Sequence, residues 1–387
     1  MISHRSPALV SSSKADMEKA RDGERPGGDV LDIGGEKAGS KDERDGEKVE
    51  GDGFRLEKGG RCKRSARGEG SEPPVDEQQK KRQKMDDDGR VPNSTTEIVG
   101  TSLLAAFSED KGSRTTMEDV AIIDLNAKPD PSSKTRVSFF GVFDGHGGLN
   151  SARFASEKLH KAVLNAGLLP PEVACGEKAL NFKEGVKCVV EGFQGLDSEL
   201  LKESEQKDWQ DGCAAVGIWV VGEKVIVGNV GDAKCVLGRI SNKESDEGEL
   251  KALVLTKEHL AIYPKERARI EKRGGFVSNT GRLDGRLQVS RSLGDVSLKK
   301  KGLTAVPDVQ CFTITERDRL MICGCDGFWK VFDPQDAVKV ASKLLAEKGP
   351  DLKSVTNRMI NMAVRERRCT DNCTVMLVRF SDPPCKE

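Results

Sequence analysis

The sequence lacks several features that define common classes of protein. Its 63 lysines and arginines equal its 63 aspartates and glutamates, so the chain has no net charge and we expect neither nucleic acid nor a membrane surface as a partner. No apolar run is long enough to span a bilayer, and Lys14, Asp16 and Glu18 stand where a secretory signal needs an apolar core. The acidic residues after Ser13 also disfavour a plastid transit peptide.

The eleven cysteines show no regular spacing. The closest pairs, Cys323 with Cys325 and Cys369 with Cys373, have no histidine nearby, whereas a zinc site needs a second pair of ligands at a matching distance. Most of the cysteines stand in apolar, strand-like runs, where a free thiol behaves as a small hydrophobic side chain. The sequence therefore predicts reduced, buried thiols in an intracellular protein.

Residues 1–93 differ in composition from the rest of the chain. They are rich in glycine and charged residues and contain one aromatic residue, Phe54. Such a segment cannot bury enough apolar surface to offset the entropy lost on folding, so we expect a disordered, charged arm. Its basic stretches at 61–64 and 80–84 fit either a solvated tail or a nuclear import signal, and we expect a nuclear or cytoplasmic location, or both.

Residues 94–382 have the pattern of a folded domain, which a short tail at 383–387 follows. Short β-branched segments bounded by glycine, aspartate or asparagine predict strands at 137–143, 214–221, 224–230, 252–255, 320–325 and 374–380. Helical periodicity predicts helices at 151–166, 180–202, 264–273, 335–347 and 352–365. Because the helices come in adjacent pairs and do not alternate with the strands, their order favours an α+β fold with mostly antiparallel sheets.

Acidic residues recur at the ends of the predicted strands. Five sites share this position: Asp144, Asp232, Asp326, Asp371 and the pair Glu118-Asp119. The first of them belongs to the turn Asp144-Gly145-His146, and Arg114 precedes the acidic pair. Each aspartate alone is most simply explained as part of a turn. Five on separate strands favour a cluster that binds hard divalent cations, because such ions prefer oxygen ligands.

Seven motifs carry a resemblance to a known family. In chain order they are 112–114 (GSR) with 117–119 (MED), 141–148 (GVFDGHGG), 229–232 (NVGD), 266–275 (ERARIEKRGG), 289–295 (VSRSLGD), 325–329 (CDGFW) and 370–372 (TDN). With them, residues from about 103 to 380 resemble the catalytic domain of the metal-dependent type 2C protein serine/threonine phosphatases. Residues 330–332 (KVF) make the chain most similar to the integrin-linked-kinase-associated phosphatases. The resemblance implies a sandwich of two mainly antiparallel sheets flanked by pairs of helices, with metals at one edge.

The resemblance also implies a role for each candidate residue. The implied metal ligands are Asp144, the carbonyl of Gly145, Asp326, Asp371, Glu118 through waters, and Asp232 at a weaker third site. Asp144 would bridge two Mg²⁺ or Mn²⁺ ions. Arg114 would hold the substrate phosphate, because a guanidinium fork binds two oxygens at once. His146 would protonate the departing serine or threonine oxygen, for which its ordinary pKa is suited; the alternative is that it orients the metal shell.

The function that the resemblance implies is hydrolysis of phosphoserine and phosphothreonine in proteins by a metal-activated water. The implied partners are phosphorylated proteins, with kinases among them, and we expect a monomer that takes part in signalling. Two departures from the family pattern, Ala214 and Lys330, favour an alternative in which a pseudophosphatase or regulatory binding protein has weak or no turnover. A second alternative is a metal-dependent phosphohydrolase for a small molecule. For Lys330 itself we expect a weaker affinity of the site for Mg²⁺ or Mn²⁺, because a positive group stands four residues after the implied ligand Asp326. The alternative is that the Lys330 side chain simply points into water.

Overall fold

The structure is a computed structural model that describes residues 103–128, 130–241, 248–349 and 351–380. The predicted arm at 1–93, its basic stretches at 61–64 and 80–84, and the tail at 383–387 lie outside the described residues. Both predicted domain limits, 94 and 382, lie outside them as well and stay predictions.

The strands of the described part form two antiparallel sheets. In chain order they are β1 (Leu103–Asp110), β2 (Val120–Asp124), β3 (Val137–His146), β4 (Gly212–Val221), β5 (Lys224–Val230), β6 (Lys234–Ile240), β7 (Leu250–Val254), β8 (Leu293–Gly294), β9 (Asp308–Thr313), β10 (Asp318–Gly324) and β11 (Cys373–Phe380). One sheet has the order β1-β11-β10-β6-β7; the other has the order β2-β3-β4-β5-β9, with β8 beside β4. The predicted α+β sandwich is confirmed.

Helices cover the outer faces of both sheets. They are α1 (Asn150–Val163), α2 (Pro171–Ala174), α3 (Phe182–Lys207), α4 (Pro264–Lys272), α5 (Val296–Lys299), α6 (Asp326–Trp329), α7 (Pro334–Lys348) and α8 (Leu352–Asn361). Helices α1 and α3 pack together on the six-stranded sheet, and α7 and α8 pack together on the five-stranded sheet. Two π-helical turns, Leu164–Leu168 and Met362–Glu366, extend α1 and α8. The predicted helix pairs are therefore present.

The side-chain alternation of β3 shows how the layers are built. Phe139 and Phe143 pack with α1 and α3, whereas Phe140 and Val142 pack between the two sheets. Successive side chains of a strand point to opposite faces, so a central strand that is covered on both faces has to be apolar throughout. This explains why 137–143 is apolar apart from Ser138, whose buried hydroxyl donates to the carbonyl of Leu125, and why the apolar run stops at Asp144.

Local capping sets the start of the longer helices. The Asp333 carboxylate accepts from the backbone N–H groups of Gln335 and Asp336, and Pro334 occupies the first turn of α7. The amide oxygen of Asn181 accepts from the backbone N–H of Lys183 at the start of α3. These side chains satisfy backbone donors that have no partner inside the helix.

Some elements give little signal in the sequence. Strand β9 alternates polar and apolar residues at the edge of its sheet, and α2, α5 and α6 have only four residues each, too few for a periodic pattern. Residues around α4 and α5 form a separate small apolar core that includes Ile270, Leu283 and Leu298. This small core holds the segment that borders the cleft described below.

The described residues bear on two predictions from composition, which concern membrane-spanning helices and the state of the cysteines. In that part of the chain no helix combines the length and the apolar character that crossing a membrane requires. All nine described cysteines are free, and all but Cys175 are buried, which confirms the predicted thiols there. Cys62 and Cys385 lie outside the described residues.

Candidate metal centre

One cleft, with a volume of about 250 Å³, collects the strand ends that the sequence singles out. All eight predicted site residues line it: Arg114, Glu118, Asp144, Gly145, His146, Asp232, Asp326 and Asp371. Both sheets contribute, because β3 and β5 of the six-stranded sheet end beside the end of β10 and the start of β11 of the five-stranded sheet. Residues far apart in sequence therefore meet in one acidic depression.

Three carboxylates of the cleft lie especially close together. One oxygen each of Asp144, Asp232 and Asp326 lies within 4.8 Å of the others. Burial raises the pKa of Asp144 well above its usual range, and the neighbouring carboxylates raise it further. Burial and then the charge of Asp326 raise the pKa of Asp232 to about 7. Such mutual repulsion is relieved when a cation binds between the groups.

Asp119 is a further acidic residue of the site, next to the predicted ligand Glu118 in the sequence. Its buried carboxylate lies with the Asp144 carboxylate and the Cys325 thiol in a second group of atoms within 4.8 Å. The Thr374 hydroxyl donates to Oδ2 at 2.7 Å, while Oδ1 has no hydrogen-bond partner within the described ranges. Burial raises the pKa of Asp119 to about 6. The sequence shows the acidic pair, but it does not show that Asp119 shares such a group with Asp144.

Glu118 and Asn372 fix the loop between β1 and β2. The backbone N–H of Glu118 donates to the Asn372 amide oxygen at 2.9 Å, and the Asn372 amide donates to the carbonyls of Lys111 and Thr116. The Glu118 carboxylate accepts from the Thr116 hydroxyl at 3.0 Å and from the backbone N–H of Gly148 at 3.3 Å. Glu118 thus lines the cleft beside the three clustered carboxylates, with its own oxygens already bonded.

Two glycines let backbone segments approach closely around the carboxylates. A Cβ atom on Gly145 would lie 2.3 Å from the carbonyl oxygen of Glu118, and one on Gly327 would lie 2.0 Å from the carbonyl oxygen of Asn372. Real Cβ atoms do not come so near to backbone oxygens, so a side chain at either position would push the loops apart. Only glycine fits at both places.

Asp371 carries two cationic partners. Arg114 Nη2 lies 2.9 Å from its Oδ1, and Lys330 Nζ lies 3.0 Å from its Oδ2. The same Lys330 ammonium lies 2.6 Å from Oδ2 of Asp326. The interpretation that Lys330 simply points into water is therefore wrong, because the helical turn of α6 places its side chain over the carboxylate four residues earlier.

His146 forms a hydrogen-bonded pair that the sequence does not reveal. Its Nε2 lies 2.8 Å from Oδ2 of the buried Asp295, which also accepts from the Ser292 hydroxyl at 2.6 Å. An ionised carboxylate only accepts, so Nε2 carries the hydrogen that is donated to Asp295. The proton that the imidazolium could give to another group is then the one on Nδ1. Burial lowers the pKa of His146, and the charge and hydrogen bond of Asp295 outweigh that effect and raise it.

Two further histidines have structural surroundings. The ring of His160 stacks on Phe139 with 5.3 Å between the centroids. His259 is buried, and its Nδ1 accepts from the backbone N–H of Gly231 at 3.2 Å, next to Asp232. Burial lowers the pKa of His259, which keeps the ring neutral and able to accept.

The donor atoms of the cleft fit a hard divalent cation. The clustered ligand atoms are carboxylate oxygens, and the unpartnered Oδ1 of Asp119 stands beside them. Burial raises the pKa of the Cys325 thiol well above its usual range, and its sulfur is occupied by hydrogen bonds with the backbone of Asn372 and Thr374. The site therefore offers oxygen ligands, which Mg²⁺ and Mn²⁺ prefer and which zinc sites seldom use alone.

Comparison with known proteins gives one consistent result. The family model described as protein phosphatase 2C matches residues 104–373. "Probable protein phosphatase 2C 8" of Arabidopsis thaliana is 48% identical over 282 residues, covering 71% of this chain and 78% of that protein. The integrin-linked kinase-associated serine/threonine phosphatase 2C of Homo sapiens is 35% identical over 331 residues, covering 81% of each chain.

Solved structures show the same fold. A serine-threonine phosphatase 2C from Toxoplasma gondii superimposes with a TM-score of 0.64 at 24% identity, covering 75% of this chain and 98% of that one. A C. elegans sex determining protein superimposes with a TM-score of 0.60 at 22% identity, covering 75% and 67%. These superpositions establish the two-sheet architecture.

Proposed function

This chain belongs to the protein phosphatase 2C family and is a metal-dependent protein serine/threonine phosphatase, and from that premise we propose that its acidic cleft binds two Mg²⁺ or Mn²⁺ ions and presents Arg114 and His146 to the substrate. The alternative of a binding protein without turnover is not favoured, because the relatives carry phosphatase names. The names also specify serine/threonine phosphatases, which disfavours a small-molecule substrate.

The observation that carries the proposal is the group of carboxylate oxygens within 4.8 Å of one another. Asp144 lies in both such groups, with Asp232 and Asp326 in one and with Asp119 in the other, so it would help to hold both cations. The other proposed ligands are the carbonyl of Gly145, Asp371, Glu118 through water, and Asp232 with Asp326 at a weaker third site. The chemistry expected of such cations is activation of water near neutral pH and neutralisation of phosphate charge.

The chain's own residues would bind the phosphate and move the proton. Arg114 stands at the rim with a largely exposed guanidinium, which can hold two phosphate oxygens while one nitrogen keeps its contact with Asp371. His146 would donate the Nδ1 proton to the serine or threonine oxygen as the bond to phosphorus breaks. Asp295 would hold the ring in the required orientation and stabilise its charged form, because its carboxylate accepts from Nε2.

Location and partners remain proposals. We propose that the chain acts in the nucleus, the cytoplasm or both, on the basis of the basic stretches at 61–64 and 80–84. The name of one relative, integrin-linked kinase-associated phosphatase, supports kinases as partners in signalling. We also propose that the protein is a monomer. Imaging of the tagged full chain and of a chain that lacks residues 1–93 tests the location, and sedimentation tests the oligomeric state.

A metal titration tests the composition of the centre. Metal-free protein is titrated with Mn²⁺ while bound ions are counted by electron paramagnetic resonance, and phosphate release from a phosphothreonine peptide is followed in parallel. We expect two ions to bind tightly, a third to bind weakly, and release to begin as the two tight sites fill. Phosphate release at full rate by chelator-treated protein would contradict the proposal. Binding of a single ion at saturation would contradict the two-ion centre.

A further inference from the structure

One segment beside the cleft is strongly basic although the whole chain is neutral. Residues 264–301, which we call the basic segment, contain eleven lysines and arginines and four acidic residues, a net charge of +7, whereas the full chain has a net charge of zero. The segment includes α4 and α5 and surrounds the small apolar core of Ile270, Leu283 and Leu298. The segment therefore has apolar side chains of its own on which to pack.

The acidic residues of the basic segment are used in internal pairs. Glu266 pairs with Arg291 at 2.7 Å and with Arg269 at 2.6 Å, and it is buried. Asp295 is bonded to His146, and Asp284 pairs with Lys301. Glu271 pairs with Arg267, so these contacts use all four acidic residues of the segment.

Six exposed cations of the segment make no ion pair within the part of the chain that the structure describes. They are Lys265, Lys272, Arg273, Arg282, Arg286 and Lys300. Unpaired cations on a surface raise its potential, and the effect is strongest next to a cleft whose walls exclude water. The phosphate of a bound substrate would lie in that cleft.

The cations extend outward from the cleft. Arg282 lines the cleft together with Arg114, and Arg282 Nη1 donates to the carbonyl of Arg286 at 2.8 Å. The ion pair between Asp284 and Lys301 ties this loop to the end of the segment. There, a Cβ on Gly302 would lie 3.3 Å from Arg273. The positive surface thus begins at the phosphate site and continues away from it.

We infer that the basic segment is a substrate-binding surface that selects phosphoproteins with acidic residues, or further phosphates, beside the phosphorylated serine or threonine. This inference rests on the proposed function, and the segment supplies one part of the cleft wall through Arg282, Leu287, Gln288 and Val289. Aspartate and glutamate side chains near the phosphate would meet Arg282 and Arg286 first and the outer cations next. A nucleic acid would be an alternative occupant, but the neutral chain and the position at the phosphate cleft favour a peptide.

Matched peptides test the inference. Two phosphothreonine peptides differ only in their flanks, which are acidic in one and neutral in the other, and kcat/KM is measured for the full chain with Mn²⁺. We expect a preference of about tenfold for the acidic peptide, because several exposed ion pairs would each contribute a small amount. The preference should fall steeply as ionic strength rises, because salt screens exposed charges. The triple variant Arg273→Ala, Arg286→Ala, Lys300→Ala should lose most of this preference.

Charge-preserving and remote variants complete the test. The exchange Arg273→Lys, Arg286→Lys, Lys300→Arg should keep the preference, as should Lys178→Ala with Lys183→Ala, which removes two exposed cations near the start of α3. Equal kcat/KM for the two peptides in the wild type would overturn the inference and leave the proposed function intact. If the protein hydrolysed neither peptide, that result would contradict the proposed function itself. If the full chain bound single-stranded DNA through this segment more tightly than it bound the acidic peptide, that result would also overturn the inference.

Discussion

The backbone N–H of Asp326 donates to Oδ2 of Asp144 across 3.1 Å. Asp326 begins α6 after a strand of the five-stranded sheet, and Asp144 belongs to β3 of the six-stranded sheet, so this bond joins the two layers at the cleft. The start of a helix favours an acceptor with negative charge. One carboxylate therefore serves both the packing of the sheets and the proposed metal centre.

Replacement of Asp144 by asparagine should separate these two roles. Asp144→Asn keeps an acceptor for the Asp326 N–H but removes the charge that would neutralise two cations, so we expect activity to fall by at least about a thousandfold. The metal-free variant should unfold at a higher temperature than metal-free wild type, because burial and neighbouring carboxylates disfavour a charge at this position. Thermal unfolding with and without Mn²⁺ measures both effects.

The control for this substitution is Asp208→Asn, at an exposed position with φ of 54° that asparagine also adopts readily. It should change neither activity nor the stabilisation by Mn²⁺. Near wild-type turnover in folded Asp144→Asn would remove this residue from the proposed centre.

The strand ends could be predicted from the sequence because each is marked locally. An apolar run that stops at an aspartate and a glycine specifies a buried strand and its exit, and this marking located Asp144, Asp232 and Asp326 without any long-range information. The outer helices could be predicted for the same reason, since their apolar faces repeat with the helical period. The limits of α1 and α8 are less clear in the sequence, because π-helical turns extend both helices.

Contacts across long sequence separations could not be predicted. Asp295 is 149 residues from His146, and no spacing rule connects them. Asp119 and Glu118 are neighbours in the sequence, and the side of the chain on which each lies depends on the path of the loop that Asn372 holds. The direction of a flexible lysine such as Lys330 depends on nearby charges, which only the folded chain brings together.

Replacement of Arg114 by lysine should weaken substrate binding first. Arg114→Lys keeps the positive charge but loses the planar fork, so we expect KM for a phosphothreonine peptide to rise by about tenfold with a smaller change in kcat. Steady-state kinetics at saturating Mn²⁺ measures both constants. If KM stays unchanged while kcat collapses, Arg114 acts on the transition state instead.

The dependence of the rate on the leaving group should reveal the role of His146. His146→Ala should lower kcat for a phosphothreonine peptide by about a hundredfold, because an alkoxide is a poor leaving group without a proton donor. The same variant should have little effect on p-nitrophenyl phosphate, whose leaving group needs no proton. Asp295→Asn should also lower kcat for the phosphothreonine peptide. NMR should show a lower pKa of His146 in this variant, since the asparagine does not stabilise the charged ring. Equal losses on both substrates would favour an orienting role for His146.

The ion pair of Glu266 and Arg291 should make stability depend on pH in the acid range. Burial alone would raise the pKa of Glu266, and the hydrogen bonds and charge of Arg291 outweigh burial and lower it to about 2. A lowered pKa in the folded state gives stability that is present above the ordinary pKa of 4.5 and is lost as the pH falls towards 2. Glu266→Gln should therefore lower the free energy of unfolding by about 2 kcal/mol at pH 7.

Urea unfolding of both proteins at several pH values checks this sign. The difference between wild type and Glu266→Gln should be constant above about pH 5 and should shrink below it. The control Glu271→Gln removes an exposed carboxylate that pairs with Arg267, and it should have little effect at any pH. A difference that grows on acidification would contradict the assigned pair.

The ammonium of Lys330 should compete with divalent cations for the same carboxylates. It lies 2.6 Å from Oδ2 of Asp326 and 3.0 Å from Oδ2 of Asp371, both of which are proposed ligands. A cation that binds these oxygens has to displace the ammonium or share the carboxylates with it, and like charges at such distances repel. Lys330→Asp replaces the competing charge by a further oxygen ligand, so we expect the Mn²⁺ concentration for half-maximal binding to fall by about tenfold.

Lys330→Met separates the two parts of this effect. Methionine keeps an apolar stem of similar length without the charge, so it should give an intermediate Mn²⁺ affinity if repulsion and the added ligand both contribute. Calorimetric titration of each folded variant measures affinity independently of turnover, and low ionic strength should enlarge the differences because half of the Lys330 side chain is exposed to solvent. Identical titrations for wild type, Lys330→Met and Lys330→Asp would show that the bound cations do not interact with this ammonium. Lys330 would then serve only to neutralise Asp326 and Asp371 in the metal-free protein.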